Sequence, residues 1–319
     1  MRIVVVAPNT TVMPPEKDGG TERIVYELSE GLARKGHDVF LYARGNSRSS
    51  GTVISYPFDF LGEGEIGTFV KHTLPPNVDV VHDHTFSSTM SNQELEHPIV
   101  STRHIPNKTN AANPVYVSDN ALHSIGEGQG VFIHNGLRPD DYQFSATKQD
   151  YLLFMGRLVR DKGVVRAIDI AERTNSRLII AGPKHDIAYF NKEIAPRLKR
   201  NRKLTYVDSV GGQDRQNLLK HARCLLFPIQ WQEPFGLVMI EALVCGTPVL
   251  AMNEGAVKEV LKGFPEFICD SPKEMERKLK YTIYKYTPDK LRQYVTENFN
   301  SQIMTNQYIE YYKQVIDER

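Results

Sequence analysis

Long apolar runs are missing from this 319-residue chain, and none approaches the roughly 18 residues that a membrane-crossing helix needs. The opening stretch Met1-Arg2-Ile3-Val4-Val5-Val6-Ala7-Pro8 is too short for a secretory leader and reads as a buried strand. Charge of one sign is also lacking: 39 basic and 38 acidic side chains leave a net +1, so no global electrostatic argument favours nucleic acid as a partner. Cysteine is sparse. Cys224, Cys245 and Cys269 sit in apolar surroundings without metal-ligand spacing, which leads us to expect reduced thiols in a cytoplasmic protein. Neither half carries the G-x-G-x-x-G spacing of a dinucleotide-binding turn, which weighs against hydride transfer. Repeats and low-complexity segments are absent.

What remains is an ordinary globular composition, 40% hydrophobic and 24% charged, on a length that suits two domains. Short β-branched runs alternate with amphipathic stretches, the pattern of parallel sheets covered by helices on both faces. Strands are expected at 2–7, 38–42, 78–82, 98–101, 115–117 and 131–133, with helices at 21–35, 63–73 and 118–125. The pattern restarts with a strand at 151–155 and a helix at 162–173, then strands at 177–181, 204–207, 223–227, 248–251 and 266–268. The turn-rich stretch His134-Asn135-Gly136-Leu137-Arg138-Pro139-Asp140-Asp141 has no period and reads as the hinge. The domains are therefore placed at 1–140 and 141–300, with 301–319 a helix packing back on the first. Two doubly wound domains facing each other across a cleft are the economical architecture, with ligands at the carboxyl ends of the strands.

The densest chemical signal is Glu233-Pro234-Phe235-Gly236-Leu237-Val238-Met239-Ile240-Glu241. A Pro and a Gly stand at the mouth of an apolar helix, with one carboxylate outside it and one about two turns in. The free amides of Gly236, Leu237 and Val238 favour a phosphate. The two carboxylates can accept hydrogen bonds from sugar hydroxyls. Their structural alternative is an exposed helix acid at Glu241 and a loop acid at Glu233. Earlier in the chain, Met155-Gly156-Arg157-Leu158-Val159-Arg160-Asp161-Lys162-Gly163 follows a strand and opens a helix, so Arg157 and Lys162 can converge on one anion. Gly19 and Gly20 sit in the loop before the first helix, where paired glycines allow close backbone approach to a ligand, although a plain turn with Thr21 as helix cap explains them as well. His82-Asp83-His84 and Ser101-Thr102-Arg103-His104 end two strands. They tempt a metal reading, but no third or fourth ligand accompanies them, and none is expected.

Taken together these segments resemble the retaining nucleotide-sugar glycosyltransferases of family 4, in which two glutamates are separated by seven residues. The resemblance touches segments from residue 2 to about 260, including Tyr116-Val117-Ser118-Asp119, His134-Asn135-Gly136 and Gly255-Ala256-Val257-Lys258-Glu259. It implies a GT-B fold of two Rossmann-like domains, and transfer of a sugar from a nucleotide diphosphate, with UDP as the expected nucleotide, to an acceptor hydroxyl with retention. Donor contacts would come from Gly19, Gly20, Arg157, Lys162, Glu233, Phe235, Gly236, Leu237, Val238 and Glu241. Arg157 and Lys162 would hold the leaving diphosphate, Glu241 the ribose and Glu233 the transferred sugar, with His104 the cleft histidine. No metal or other cofactor is implied, since the nucleotide sugar is itself a substrate. An epimerase or phosphorylase on the same fold, or a non-catalytic nucleotide-sugar binder, are the rival readings. The basic run Arg197-Leu198-Lys199-Arg200-Asn201-Arg202-Lys203 is either a solvated helix end or a peripheral contact with an anionic membrane.

Overall fold

The computed structural model describes residues 1–57 and 62–318, which form two compact units. One comprises Met1–Arg138 together with the chain from Phe299 onward; the other is Pro139–Asn298.

The first unit is built on a seven-stranded sheet in the order β3-β2-β1-β4-β5-β6-β7. Its strands are β1 Arg2–Val6, β2 Asp38–Ala43, β3 Thr52–Ser55, β4 Val80–Asp83, β5 Ile99–Arg103, β6 Pro114–Tyr116 and β7 Val131–Phe132. Every neighbouring pair is parallel. The central strands β1 and β4 are almost entirely buried, as a sheet covered on both faces requires. The sequence reading missed β3. It is a four-residue edge strand exposed at both ends, set among serines and a glycine, so it carries no continuous apolar run.

Helix Gly20–Arg34 follows β1, and the tail helix Ser301–Asp317 packs against it. A methyl group at Gly31 would lie 2.2 Å from the Thr305 hydroxyl, so the two helices meet where one lacks a side chain. The boundary between the units falls after Arg138, within the stretch read as a hinge, and Leu137 is tied into the first unit: Leu137 N donates to Phe299 O (2.9 Å) and Ser301 N to Leu137 O (2.8 Å). Helix Gly20–Arg34 also corrects the proposed cap, because its first residue is preceded by Gly19 in a positive-φ conformation and Thr21 makes no capping bond.

The second unit holds a six-stranded parallel sheet in the order β10-β9-β8-β11-β12-β13. Its strands are β8 Leu152–Met155, β9 Leu178–Ala181, β10 Leu204–Tyr206, β11 Cys224–Phe227, β12 Val249–Met252 and β13 Ile268–Cys269. The helix expected at 162–173 starts later, at Val164, after a tight turn over Arg160–Lys162. Gly163 forces that break: its φ is +76°, and a methyl there would sit 2.0 Å from the Pro228 carbonyl oxygen. The expected strand at 266–268 shrinks to Ile268–Cys269 because Pro265 opens a single helical turn and offers no N–H to a ladder.

In each sheet the strand order reverses next to the first strand, between β1 and β4 and again between β8 and β11. Loops leaving the carboxyl ends of those strands part in opposite directions and open a crevice, the usual place for a ligand in an open α/β sheet.

Candidate active site

The crevice of the second sheet is flanked by the loop after β8 and the loop after β11. These two loops are fastened together: Gln230 N donates to Asp161 O (2.8 Å), and Gln230 Nε2 to Arg160 O (2.9 Å). Lys162 is thereby carried to Glu233, and its ammonium pairs with Glu233 Oε2. The same oxygen accepts from Trp231 Nε1 (2.8 Å), and Lys162 Nζ lies 4.8 Å from the Trp231 ring centroid. Glu233 is only 8% exposed. Its backbone is held from behind by Gly255 and Ala256: Ala256 N donates to Glu233 O (3.0 Å), and a methyl on Gly255 would lie 2.3 Å from Glu233 N.

From Glu233 the chain passes buried Phe235 to Gly236, whose φ of +82° starts helix Leu237–Val244 without any side-chain cap. Leu237 and Val238 are half-buried, so the first amides of the helix are left for an acceptor from outside it. Arg157 is exposed at the end of β8 and, among the described residues, forms no ion pair. A free guanidinium, a neutralised ammonium and an uncapped helix start therefore border this crevice.

Glu241 lies on the same helix but is 1% exposed. Arg215 Nη2 pairs with its Oε2, and the Tyr142 hydroxyl donates to its Oε1 at 3.2 Å. Arg215 Nη1 reaches back to Met155 Sδ (2.9 Å) at the end of β8. Trp231, Tyr142 and Arg215 were all missed by sequence reasoning. Trp231 could have been found from its place two residues before Glu233; Tyr142 and Arg215 come from distant segments and leave no local signal.

In the first unit, Gly19 takes φ +127°, and a methyl there would crowd Pro15 Cβ at 2.9 Å and Glu22 Oε2 at 3.0 Å; Gly20 has open space around it. The glycine pair is thus unequal. Buried Glu22 accepts from the Thr10 hydroxyl, and burial raises its carboxyl above the ordinary range.

The histidines gather at the carboxyl ends of β4 and β5. His82 Nδ1 meets the Tyr312 hydroxyl (2.6 Å), and its Nε2 meets Thr102 Oγ1 (2.7 Å), which in turn meets the Tyr308 hydroxyl (2.8 Å). His84 Nδ1 meets His104 Nε2 at 2.9 Å. Burial holds all three imidazoles neutral, pushing His82 and His84 well below the ordinary range and His104 down to about 3, with Arg103 adding to the last. Both nitrogens of His82 are committed to hydroxyls. Among the described residues no cluster of three or more His, Cys, Asp or Glu side chains is placed to hold a metal ion.

The three cysteines are free and buried, and burial pushes the Cys245 and Cys269 thiols up to about 12. The basic run is partly consumed at home: Arg197 Nη2 bonds Asp169 Oδ1 (2.5 Å) and also pairs with Glu172, while Lys203 Nζ donates to Asn175 O (2.8 Å). Among the described residues no helix is long and apolar enough to cross a membrane.

Residues 140–311 match the family model described as glycosyl transferases group 1, and residues 18–125 match that of glycosyltransferase family 4. A phosphatidyl-myo-inositol mannosyltransferase of Mycobacterium tuberculosis is 26% identical over 311 residues, covering 82% of this chain and 80% of that protein. An uncharacterized glycosyltransferase of Methanocaldococcus jannaschii is 28% identical over 161 residues, 44% of this chain and 41% of that one. The chain spans less than half the length of the first curated relatives it matches. Among solved structures, AviGT4, a glycosyltransferase involved in avilamycin A biosynthesis, superposes with a TM-score of 0.83 at 25% identity, covering 100% of this chain and 99% of that one. Anabaena HepE in complex with UDP and glucose superposes with a TM-score of 0.79 at 17% identity, covering 98% and 100%.

Proposed function

The chain belongs to the glycosyl transferases group 1 and has the GT-B fold of two Rossmann-like domains, and from that premise we propose that it moves a sugar from a nucleotide diphosphate to an acceptor hydroxyl with retention of configuration. The observation that carries this reading is the uncapped start of helix Leu237–Val244 beside the Lys162–Glu233 pair, at the strand-order reversal of the second sheet. An anion seated on those amides is favoured by the helix dipole, and exposed Arg157 adds a cation that has no ion-pair partner among the described residues to give up. HepE, which is solved with UDP and glucose, supports UDP as the nucleotide.

On this reading Lys162 changes partner. Without donor its ammonium neutralises Glu233; an arriving diphosphate draws the ammonium away, and Glu233 is then free to accept from a sugar hydroxyl. Leaving-group charge is stabilised by Lys162, Arg157 and the helix amides, groups already in place before the bond breaks. A nucleophile role suits neither carboxylate, since Glu241 stays buried in its pair with Arg215 and the released Glu233 is taken up by a hydroxyl of the transferred sugar. Attack on the departing face, with the leaving phosphate taking the acceptor's proton, meets that constraint. A ribose role for Glu241 requires its Oε1 to exchange the Tyr142 hydroxyl for a sugar hydroxyl.

A thermal-shift panel of nucleotide sugars, followed by NMR of the product's anomeric configuration, tests the proposal. A donor at a hundred times its dissociation constant adds about 2.7 kcal/mol of stability. Arg157→Ala should lower turnover at least a hundredfold with little change in melting temperature, because this side chain is exposed and, among the described residues, in no ion pair. Wild-type turnover in that variant would refute the diphosphate assignment, and an inverted product would refute retention.

A further inference from the structure

His84 follows β4, His104 follows β5, and the neighbouring parallel strands bring the two rings to a stacked separation of 5.2 Å. Between them runs one hydrogen bond, His84 Nδ1 to His104 Nε2 at 2.9 Å, which needs one proton and one lone pair. The other nitrogen of His84, Nε2, is fully enclosed and has no partner. His82, whose ring centroid lies 3.9 Å away, cannot serve it, because Tyr312 and Thr102 occupy both of its nitrogens.

Two arrangements satisfy the bond. Either His84 donates from Nδ1 and leaves a bare lone pair on Nε2, or it accepts at Nδ1 and buries an Nε2–H with no acceptor. Orphaned buried N–H groups are the rarer defect in folded proteins. The first arrangement follows, and it fixes the second ring as well: a neutral His104 that accepts at Nε2 must carry its proton on Nδ1. His104 is half-buried, and among the described residues nothing bonds its Nδ1.

We infer that His84 is a positioning residue that locks His104 in the Nδ1–H tautomer, so that His104 offers a hydrogen-bond donor to its ligand. Resting on the function proposed above, that ligand is a hydroxyl or phosphate oxygen of a substrate, acting as an acceptor. Burial supports the lock, since it keeps both rings neutral and prevents either from carrying two protons.

The tautomers can be read directly in the full-length chain labelled with ¹⁵N-histidine, from the correlations of each ring nitrogen with the carbon-bound ring protons. The expected wild-type spectrum shows His104 and His84 protonated on Nδ1. In His84→Leu the His104 signal should move toward a tautomer mixture. In His84→Asn, whose amide can place an N–H where Nδ1 stood, it should stay locked. His104 protonated on Nε2 in the wild type overturns the inference, as does an unchanged His104 spectrum in His84→Leu. Should the leucine variant not fold, the wild-type spectrum alone decides. If sugar transfer is also observed, His84→Leu should lose roughly tenfold in turnover, about the worth of one misaligned hydrogen bond, and His84→Asn should recover most of it. Absence of transfer with every donor would refute the proposed function while leaving the tautomer result standing.

Discussion

Acidification should loosen the first unit well before the second. His82, His84 and His104 are held neutral by burial, with His104 down at about 3, whereas in the unfolded chain an imidazole titrates near 6.5. The folded affinity for protons is depressed, so the unfolded state binds more of them below neutrality, and stability falls as pH drops through 6.5. Between pH 7.5 and 5.5 each ring then costs about 1.4 kcal/mol, and three cost about 4 kcal/mol. Asp83 works the other way. Burial pushes its carboxyl up to about 6 against three donors from Thr85 and Met90, so the folded state takes a proton over the same interval and regains a little under ~1 kcal/mol. The net loss is about 3 kcal/mol, which at a urea slope of roughly 2 kcal/mol/M moves the midpoint down by about 1.5 M.

The second unit holds no fully buried histidine, with His185 exposed and His221 half-buried, and serves as the internal reference. It also contains the single tryptophan, Trp231, so fluorescence follows its unfolding, while hydrogen exchange over 80–104 follows the first unit. Parallel urea series at pH 7.5 and 5.5 make the comparison. A first-unit midpoint that holds still or rises on acidification would refute the reasoning.

Three further outcomes follow from contacts in the second unit. Lys162→Ala should lower stability by about 2 kcal/mol, because it strips the cation from a carboxylate that is 8% exposed, and Glu233→Gln in the same chain should recover most of that loss; additive melting shifts would show that the pair is not coupled. Arg215→Met should be costlier, about 3–5 kcal/mol, since Glu241 is buried deeper, and a variant melting within a degree of wild type would remove the pairing from consideration. Gly163→Ala should destabilise by more than ~1 kcal/mol through its positive φ and the Pro228 carbonyl, whereas Gly20→Ala in the first unit, with open space around it, should be close to neutral in a thermal melt.

Two parallel sheets were readable because fully buried strands such as Arg2–Val6 and Leu152–Met155 appear as apolar runs that alternate with helical patterns. Edge strand Thr52–Ser55 escaped because it is half-exposed and polar at both ends. The carboxylates and cations of the site were legible as a local pattern, since Glu233, Gly236 and Glu241 share one loop and helix. Their partners were not. Lys162 was expected to face only a diphosphate, and its pairing with Glu233 depends on how the loops after β8 and β11 are bonded together. Arg215 meets Glu241 at a separation of 26 positions, and Tyr142 meets it at 99, distances over which spacing carries no signal.

The tail helix Ser301–Asp317 delivers Tyr308 and Tyr312 to hydroxyl and imidazole partners on β4 and β5, so these strands are finished by residues 206 and 230 positions further along. As the ribosome releases residues 1–138, their histidine pocket still lacks its lid, and all of Pro139–Asn298 must emerge before the missing piece arrives. The usual order, in which the leading domain matures while the following one is still being translated, is therefore closed to this protein. The first unit reaches its final form after the second has emerged, and a nascent chain stalled short of residue 301 would expose that unfinished unit to chaperones and proteases.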